Sequence, residues 1–313
     1  MTKNPLLIIL GPTASGKTKL AVNLANILKG EIISGDSRQV FEGMDIGTGK
    51  DLDEYIINGK RIQYHLIDIK KAGDSYNVNE FKEDFYRAFE KITDKNALPI
   101  LCGGSGMYIH SVLQDHEYTA IPPNPTLRTT LLKLETEELI HLLSKYSHKF
   151  TAHADLSSRK RIIRAIEVSS YLTDHKLDKV VRPTFNSCVI GLEPELNLRR
   201  QSIISRLELR LNEGLINEVE QLMQSGVSIE KLQFYGLEYK YVVTYILGEI
   251  DYRTLVEKLT IAICQFAKRQ MTFFRKMEKD GVKIHWIKST EKTDPTQQAL
   301  DLYNSFFNSQ GIF

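Results

Sequence analysis

The chain has 313 residues, of which 42% are hydrophobic and 26% are charged, a composition typical of a globular protein of about two domains. The net charge of +2 neither requires nor excludes a nucleic-acid partner. Three scattered cysteines exclude a disulfide framework and a cysteine zinc site. No apolar run approaches the roughly 18 residues of a membrane span. We therefore expect a cytoplasmic protein.

The first element of the chain predicts a phosphate-binding loop. Residues 6–10 are an apolar run typical of a buried strand, Gly11 to Thr18 fit G-x-x-x-x-G-K-[ST], and helical spacing follows over 19–28. Gly11 and Gly16 allow several backbone N–H groups to point into one hollow, next to the positive end of the helix. We expect Lys17 to reach the terminal phosphates and the Thr18 hydroxyl to hold Mg²⁺. The loop does not say whether these phosphates are hydrolysed, transferred or released.

The second predicted strand, at residues 31–34, is followed by Asp36. Ligands of open α/β sheets bind beyond the carboxyl ends of the strands, so this position indicates a functional carboxylate. We interpret Asp36 as a general base for a hydroxyl or amine nucleophile aimed at a bound phosphate ester. The alternative is a carboxylate that only caps a turn or a helix.

The alternation of strands and helices continues with an apolar stretch at 63–69, a helix at 79–94 and a strand at 98–102, which predicts a parallel sheet. The last of these strands ends in GGSG, where a phosphate-loop hydrolase usually has a metal-ordering Asp. Asp68 also ends an apolar run and remains a candidate for ordering a metal. The GGSG ending of the strand at 98–102 therefore disfavours nucleotide hydrolysis.

A helical segment interrupts this pattern between residues 119 and 182, where 11 Lys or Arg outnumber 7 Asp or Glu. We predict a catalytic core at 1–118 and 183–313, and a small all-helical insertion domain at 119–182. The core then continues with a strand at 187–192, helices at about 196–213, 215–225, 236–247 and 251–279, a strand at 282–287 and a helix from Asp294.

Two basic clusters each allow two interpretations. One predicted helix carries four cations that either contact nucleic acid or form a solvated face: Arg159, Lys160, Arg161 and Arg164. In the second cluster, KRQMTFFRK at 268–276, Phe273 and Phe274 either stack on bases or, as their spacing favours, pack in the core.

A pair of arginines lies one turn apart on the helix predicted at 196–213. Arg206 and Arg210 have the i, i+4 spacing that places both guanidinium groups on one side of the helix. They either clamp a phosphate or pair with Glu208 and Glu213. The sequence does not decide between these two.

The motifs taken together resemble those of the tRNA dimethylallyltransferases in order and spacing, over nearly the whole chain. They are GPTASGKT (11–18), GDSRQVFEGMDIGTGK (35–50), HLIDI (65–69), PILCGGSGMYI (99–109), RKRIIRAIEV (159–168), R-x-x-x-R-x-x-x-GL-x-x-EV (206–219) and AKRQMTFFRK (267–276). The phosphate loop alone is a common pattern, but the combination is highly specific. The resemblance is to the bacterial branch of the family.

The resemblance implies an α/β fold with a P-loop NTPase-like parallel sheet. It implies transfer of a dimethylallyl group from dimethylallyl diphosphate to N6 of the adenosine 3′ to the anticodon in tRNA. Mg²⁺ would assist, the insertion would grip the anticodon stem-loop, and we expect a monomer. Matched by motif, the catalytic residues are Asp36, Lys17 and Thr13, and the diphosphate ligands are Gly11, Pro12, Thr13, Ala14, Ser15, Gly16, Lys17 and Thr18. The residues matched to tRNA contacts are Asp36, Ser37, Arg38, Gln39, Ser105, Arg128, Lys160, Arg161, Ile162, Ile163 and Arg164.

The chain departs from the family pattern at Lys160, Leu237, Glu238 and Phe273, where the family usually has Gln, Tyr, a basic residue and Trp. We expect these changes to affect tRNA affinity and sequence context more than the chemistry. Three other functions remain open: prenylation of a free adenine nucleotide, a small-molecule phosphate-loop kinase, and a non-catalytic RNA-binding module. The basic insertion disfavours the first, and the combination of Lys17 with Asp36 disfavours the last.

Overall fold

A computed structural model describes residues 4–114, 117–152, 154–178, 180–289 and 294–309. Its strands are β1 (Asn4–Leu10), β2 (Gly30–Ser34), β3 (Ile56–Ile57), β4 (Lys60–Arg61), β5 (Tyr64–His65), β6 (Leu98–Gly103), β7 (Phe185–Pro194) and β8 (His285–Ser289). The first seven helices are α1 (Lys17–Leu28), α2 (Val78–Thr93), α3 (Gly106–Leu113), α4 (Pro125–Leu131), α5 (Thr136–Ser144), α6 (His148–Thr151) and α7 (Arg159–Asp174). The remaining helices are α8 (Leu196–Asn212), α9 (Leu215–Gln224), α10 (Ile229–Tyr235), α11 (Leu237–Ile246), α12 (Tyr252–Lys279) and α13 (Pro295–Asn308).

Six strands form one parallel sheet in the order β5-β2-β6-β1-β7-β8, which confirms the predicted α/β fold. Side chains alternate across β1, because successive residues of a strand point to opposite sides of the sheet. Leu7 and Ile9 pack with α1 and α13, whereas Leu6, Ile8 and Leu10 pack with α2, α3 and α12. Every residue from 6 to 10 is fully buried, as expected for a central strand covered by helices on both sides.

The chain divides into two compact units, Met1–Gln114 with Pro183–Phe313, and Asp115–Arg182. The second unit is helical, as its sequence predicts, and contains α4 to α7. Its core is small and aliphatic, built mainly from the buried sides of α5 and α7. The sequence-based estimate for this insertion, 119–182, begins four residues later than the observed unit.

Several predicted elements differ from the observed ones. The stretch at 63–69 is a strand only over Tyr64–His65, because the chain then turns through left-handed φ angles of 62° at Leu66 and 54° at Asp68. The prediction for 282–287 is shifted, since β8 begins at His285. Helix α10 and the β3–β4 hairpin were missed, because both are too short for a reliable periodic pattern. Across the residues that the structure describes, none of the helices has the length and apolar character that crossing a bilayer requires.

Candidate active site

Three loops meet at the carboxyl edge of the sheet because their strands are neighbours. The order β2-β6-β1 brings together the turn after β2, the GGSG loop after β6 and the phosphate loop after β1. These loops line a cavity of about 600 Å³. Its walls include Thr13, Lys17, Thr18, Asp36 and Ser105, which the sequence predicted as site residues.

The phosphate loop has the geometry that its glycine pattern predicts. Gly16 precedes α1 with φ of 78°, a left-handed conformation that a side chain would strain. Lys17 Nζ lies 3.4 Å from the Pro12 carbonyl oxygen, to which it donates. Burial lowers the pKa of Lys17, and the negative charge of Asp36 partly opposes this shift. An anion bound in the loop would restore the favourable environment of the ammonium group.

A second cavity of about 440 Å³ adjoins the same loop and shares Lys17, Thr18 and Arg206 with the first. It is also lined by Glu54, whose pKa is raised by burial and by the charge of Asp51. The two cavities therefore meet at the end of the phosphate loop.

Asp36 closes a turn and also lines the cavity. Its Oδ1 accepts the Arg38 backbone N–H at 2.8 Å, which closes an Asx turn. Its own N–H donates to Ser34 Oγ at 3.3 Å. The carboxylate still lines the cavity that contains Lys17. The turn therefore orients the carboxylate through Oδ1, and the role of Asp36 as a general base stays a prediction.

Ser37 and Gln39 connect the Asp36 turn to neighbouring loops. The Ser37 N–H donates to Ser105 Oγ at 3.1 Å, and the two hydroxyl groups are 3.3 Å apart. Gln39 Nε2 donates to the Gly49 carbonyl at 2.9 Å. Ser105, which the sequence analysis predicts to lie near the substrate, therefore lies beside the Asp36 turn.

The arginines of α8 line the cavity, but their partners differ from those considered in the sequence. Arg206 pairs with Asp51 at 2.5 Å, and Arg210 lies 3.7 Å from Glu238 and 3.9 Å from Asp51. The alternative in which they pair with Glu208 and Glu213 is therefore wrong. Both guanidinium groups border the cavity and remain candidates for a phosphate clamp.

Glu218 of α9 holds another wall of the cavity. Its carboxylate accepts three consecutive backbone N–H groups, from Asp45 at 2.8 Å, Ile46 at 2.7 Å and Gly47 at 3.0 Å. It also accepts the Tyr239 hydroxyl at 2.8 Å. Because Glu218 is only 9% exposed, little water competes for these bonds. One side chain therefore fixes the turn that carries Gly47 into the cavity wall.

We expect Glu218→Gln to destabilise the protein by about 2–3 kcal/mol, because one acceptor oxygen becomes an NH₂ that faces backbone donors. Urea unfolding measures this loss, and amide exchange at residues 45–47 should accelerate. Glu220→Gln is the matched control, since Glu220 lies on the same helix but is exposed. If Glu218→Gln and Glu220→Gln were equally stable, the role of Glu218 in holding the turn at residues 45–47 would be contradicted.

The arginines predicted to contact tRNA from the helical unit have internal partners. Glu167 is fully buried and accepts Arg128 Nε at 3.0 Å and Nη2 at 2.5 Å. Arg164 Nη1 lies 3.6 Å from the same carboxylate, and Arg164 also donates to the Tyr118 and Ile121 carbonyls. Both arginines therefore stabilise the helical unit. Their contact with RNA stays a prediction.

The other residues of the basic run at 159–164 differ in burial, because they lie on different sides of α7. Ile162 and Ile163 are 0% and 3% exposed and belong to the core of the helical unit, so the prediction that their side chains contact tRNA is wrong. Arg159 donates to the Leu132 and Leu134 carbonyls at 2.7 and 2.6 Å. Lys160 is exposed to solvent, and Arg161 is also exposed but pairs with Asp155 at 2.8 Å and donates to Ser157 Oγ at 2.7 Å.

The residues of this site fit a metal ion that is shared with a substrate. Asp68 pairs with Lys50 and lines neither cavity, which removes it as the metal-ordering carboxylate. No group of three or more His, Cys, Asp or Glu that could hold a metal is found in the described parts of the chain. The Thr18 hydroxyl does lie in both cavities, and Mg²⁺ commonly combines one or two protein oxygens with phosphate oxygens and water.

Comparison with known proteins decides the family. The family model described as IPP transferase matches residues 39–277. The chain belongs to this family. It is 50% identical over 287 residues to "tRNA dimethylallyltransferase 2" of Phocaeicola vulgatus, covering 92% of this chain and 93% of that protein. It is 46% identical to "tRNA dimethylallyltransferase 1" of Parabacteroides distasonis, covering 99% of this chain and 100% of the relative.

Solved structures of IPP transferases agree with this assignment. The full-length tRNA isopentenylpyrophosphate transferase of Bacillus halodurans matches with a TM-score of 0.70 and 31% identity, over 98% of this chain and 96% of that one. A eukaryotic dimethylallyltransferase described as acting on tRNA matches with a TM-score of 0.78 and 19% identity, over 98% of this chain and 80% of that one, and supports the fold alone.

This IPP transferase has cavity residues that sequence reasoning missed. Gln270 was treated as part of a basic cluster, although it lies on the buried side of α12 and lines the cavity. A single polar residue within an apolar stripe was the available signal. Phe234, which lies 5.2 Å below the Arg38 guanidinium, is on the missed helix α10. Phe274 is fully buried in the core, and Phe273 is half-buried, packs against the same core and also lines the cavity, so the core interpretation holds fully for Phe274 and in part for Phe273.

Proposed function

We propose that the protein transfers a dimethylallyl group from dimethylallyl diphosphate to N6 of the adenosine 3′ to the anticodon in tRNA, and releases diphosphate. One observation carries the proposal: a phosphate loop and a carboxylate share a single cavity. A leaving group held by the loop and a proton acceptor beside the nucleophile are the two requirements of this alkyl transfer. The names of the relatives support the choice of tRNA as acceptor.

In the proposed reaction, the N6 lone pair forms a bond to C1 of the dimethylallyl group while the bond from C1 to the diphosphate oxygen breaks. Asp36 Oδ2 accepts the proton that N6 loses, and the electron pair of the broken bond leaves with the diphosphate. The Asx turn supports this role because it fixes the carboxylate before substrate binds.

Negative charge grows on the diphosphate as C1 gains cationic character. Lys17 is placed in the loop to balance this charge, and Arg206 and Arg210 border the same cavity. Thr18 would hold Mg²⁺, which when bound neutralises further charge on the leaving group. Binding the diphosphate would draw Arg206 and Arg210 from their partners Asp51 and Glu238.

The acceptor base must leave the stack of the anticodon loop to enter a cavity, as enzymes that modify a nucleobase generally require. We propose that the helical unit binds the anticodon stem-loop. Its exposed cation Lys160 supports this, because phosphate contacts dominate RNA affinity, and Arg161 beside it is exposed as well, although it pairs with Asp155. The paired arginines Arg128 and Arg164 would hold the unit in shape rather than supply most of that affinity.

We expect Lys160→Ala to weaken tRNA binding and to reduce the salt dependence of log K by about 0.7–0.9, the contribution of one phosphate contact. Filter binding over a salt series measures this slope. Lys160→Arg should keep the wild-type slope, and Lys91→Ala, at an exposed position on α2, controls for the lost charge. An unchanged slope in Lys160→Ala would contradict the contact.

The function is tested by incubating the protein with unmodified tRNA, Mg²⁺ and labelled dimethylallyl diphosphate, and in parallel with labelled ATP. Label entering tRNA from the prenyl donor supports the proposal. Phosphoryl transfer from ATP without prenylation would overturn it in favour of a kinase. Transfer to free AMP but not to tRNA would indicate the nucleotide-prenylating alternative.

Two further proposals concern the state of the enzyme. We propose that it acts as a monomer in the cytoplasm, where its tRNA substrate occurs. Light scattering on the purified chain, whose mass is 35.8 kDa, tests the monomeric state. A mass of twice this value would contradict it.

A further inference from the structure

Gln270 joins two of the three loops that form the cavity. Its Oε1 accepts the Thr13 backbone N–H at 2.8 Å, and its Nε2 donates to the Gly104 carbonyl at 2.9 Å. The residue is 8% exposed and lies on α12, 257 positions from Thr13. The phosphate loop and the GGSG loop are therefore held at a fixed spacing by one amide group.

The GGSG loop is adapted to this contact. A Cβ atom at Gly104 would lie 2.5 Å from Gln270 Nε2 and 3.3 Å from the Gly11 carbonyl oxygen, so a side chain here would push the Gln270 amide away from this contact. The following residue, Ser105, bonds to Ser37 at the Asp36 turn. Hydrogen bonds, together with the peptide bond between Gly104 and Ser105, therefore connect the phosphate loop to the turn that carries the carboxylate.

We propose that Gln270 is a positioning residue that sets the distance between the phosphate loop and the Asp36 turn. The proposal rests on the proposed function, because the distance matters when a donor in the loop meets a nucleophile beside Asp36. A displacement of about 1 Å between reacting groups can cost about 100-fold in rate. Gln270 acts through the loops and is not itself a catalytic group.

The contact requires one acceptor and one donor on the same side chain, which an amide supplies and a carboxylate does not. In Gln270→Glu at high pH, one oxygen would still accept the Thr13 N–H. The other would face the Gly104 carbonyl oxygen and repel it. When the new carboxyl is protonated, its O–H can donate to Gly104 and restore the original pattern.

The test compares kcat of Gln270→Glu and wild type between pH 6 and pH 8. We expect kcat of the variant to be about 10- to 100-fold below wild type at pH 8, and the ratio to recover several-fold as the pH falls. KM for both substrates should change less than about threefold. The cavity's native titratable groups, among them Lys17, Asp36, Cys102 and Glu238, and its arginines are present in both proteins, so the ratio isolates the new carboxyl.

Gln270→Met removes both hydrogen bonds and should show the same loss of kcat at every pH. Gln221→Glu, at an exposed position on α9, is the control for added charge and should match wild type. Wild-type kcat in Gln270→Met, or a Gln270→Glu ratio that does not change with pH, would overturn the positioning role. An inactive wild type would instead overturn the proposed function and, with it, this role.

Discussion

Replacement of Asp36 by Asn should lower kcat for prenyl transfer by about 1,000-fold, within the range of about 10²- to 10⁴-fold expected for loss of a general base. The Asn side chain keeps an oxygen that can accept the Arg38 N–H, so the Asx turn should survive. What is lost is the second carboxylate oxygen, which would accept the N6 proton. Single-turnover transfer of labelled prenyl group to tRNA measures the effect.

The binding of tRNA distinguishes chemistry from structure in this variant. We expect Asp36→Asn to bind tRNA within about threefold of wild type, since phosphate contacts supply most RNA affinity. Asp94→Asn, at the exposed end of α2, should behave as wild type in both assays. Equal losses of turnover and tRNA affinity would make Asp36 a binding or structural residue.

Replacement of Lys17 by Met should lower kcat by about 10²- to 10³-fold, the usual cost of removing one group that stabilises charge in the transition state. The methionine side chain fills similar space in the loop but carries no charge. Affinity for inorganic diphosphate should also fall, which calorimetry measures without turnover. Lys19→Met, at an exposed position on α1, is the matched control. Full activity in Lys17→Met would exclude a role of this ammonium in the reaction.

The lowered pKa of Lys17 also predicts how diphosphate binding depends on pH. Burial brings the pKa of free Lys17 below its ordinary value of 10.5, and a bound anion raises it again. Between these two pKa values the complex holds one proton more than its separated components. Affinity should therefore fall by up to tenfold per pH unit as the pH rises through that window.

Calorimetry in two buffers of different ionisation enthalpy should detect this proton uptake in wild type. Titration of the diphosphate itself adds a pH dependence that is common to all variants. The difference between wild type and Lys17→Met removes this contribution. Identical proton uptake in the two proteins would contradict the prediction.

The features that the sequence predicted correctly depend on residues that are close together in the chain. The apolar run before Gly11 and the glycine spacing up to Thr18 are properties of contiguous residues, so strand, loop and helix could be predicted from them. Periodicity likewise predicted α2 and α12 nearly to the residue. The stretch at 63–69 misled because a buried loop with apolar side chains has the same composition as a strand.

The helical unit shows the limit of motif matching. The run RKRIIR is contiguous in the sequence, but a helix turns its residues to different sides. Ile162 and Ile163 therefore enter the core while Lys160 and Arg161 stay exposed. Glu167 lies on the same helix, but its pairing with Arg128 depends on how α4 packs against α7.

The sequence alone determined the phosphate loop, the position of Asp36 after a strand, and the family resemblance, because each depends on neighbouring residues. Only the tertiary structure decided which strands are adjacent and hence that the loops after β1, β2 and β6 share one cavity. It also decided that Gln270 reaches Thr13 and that Glu218 caps the turn at residues 45–47. Such contacts join residues far apart in the chain, and they depend on the packing of whole helices against the sheet rather than on any local pattern.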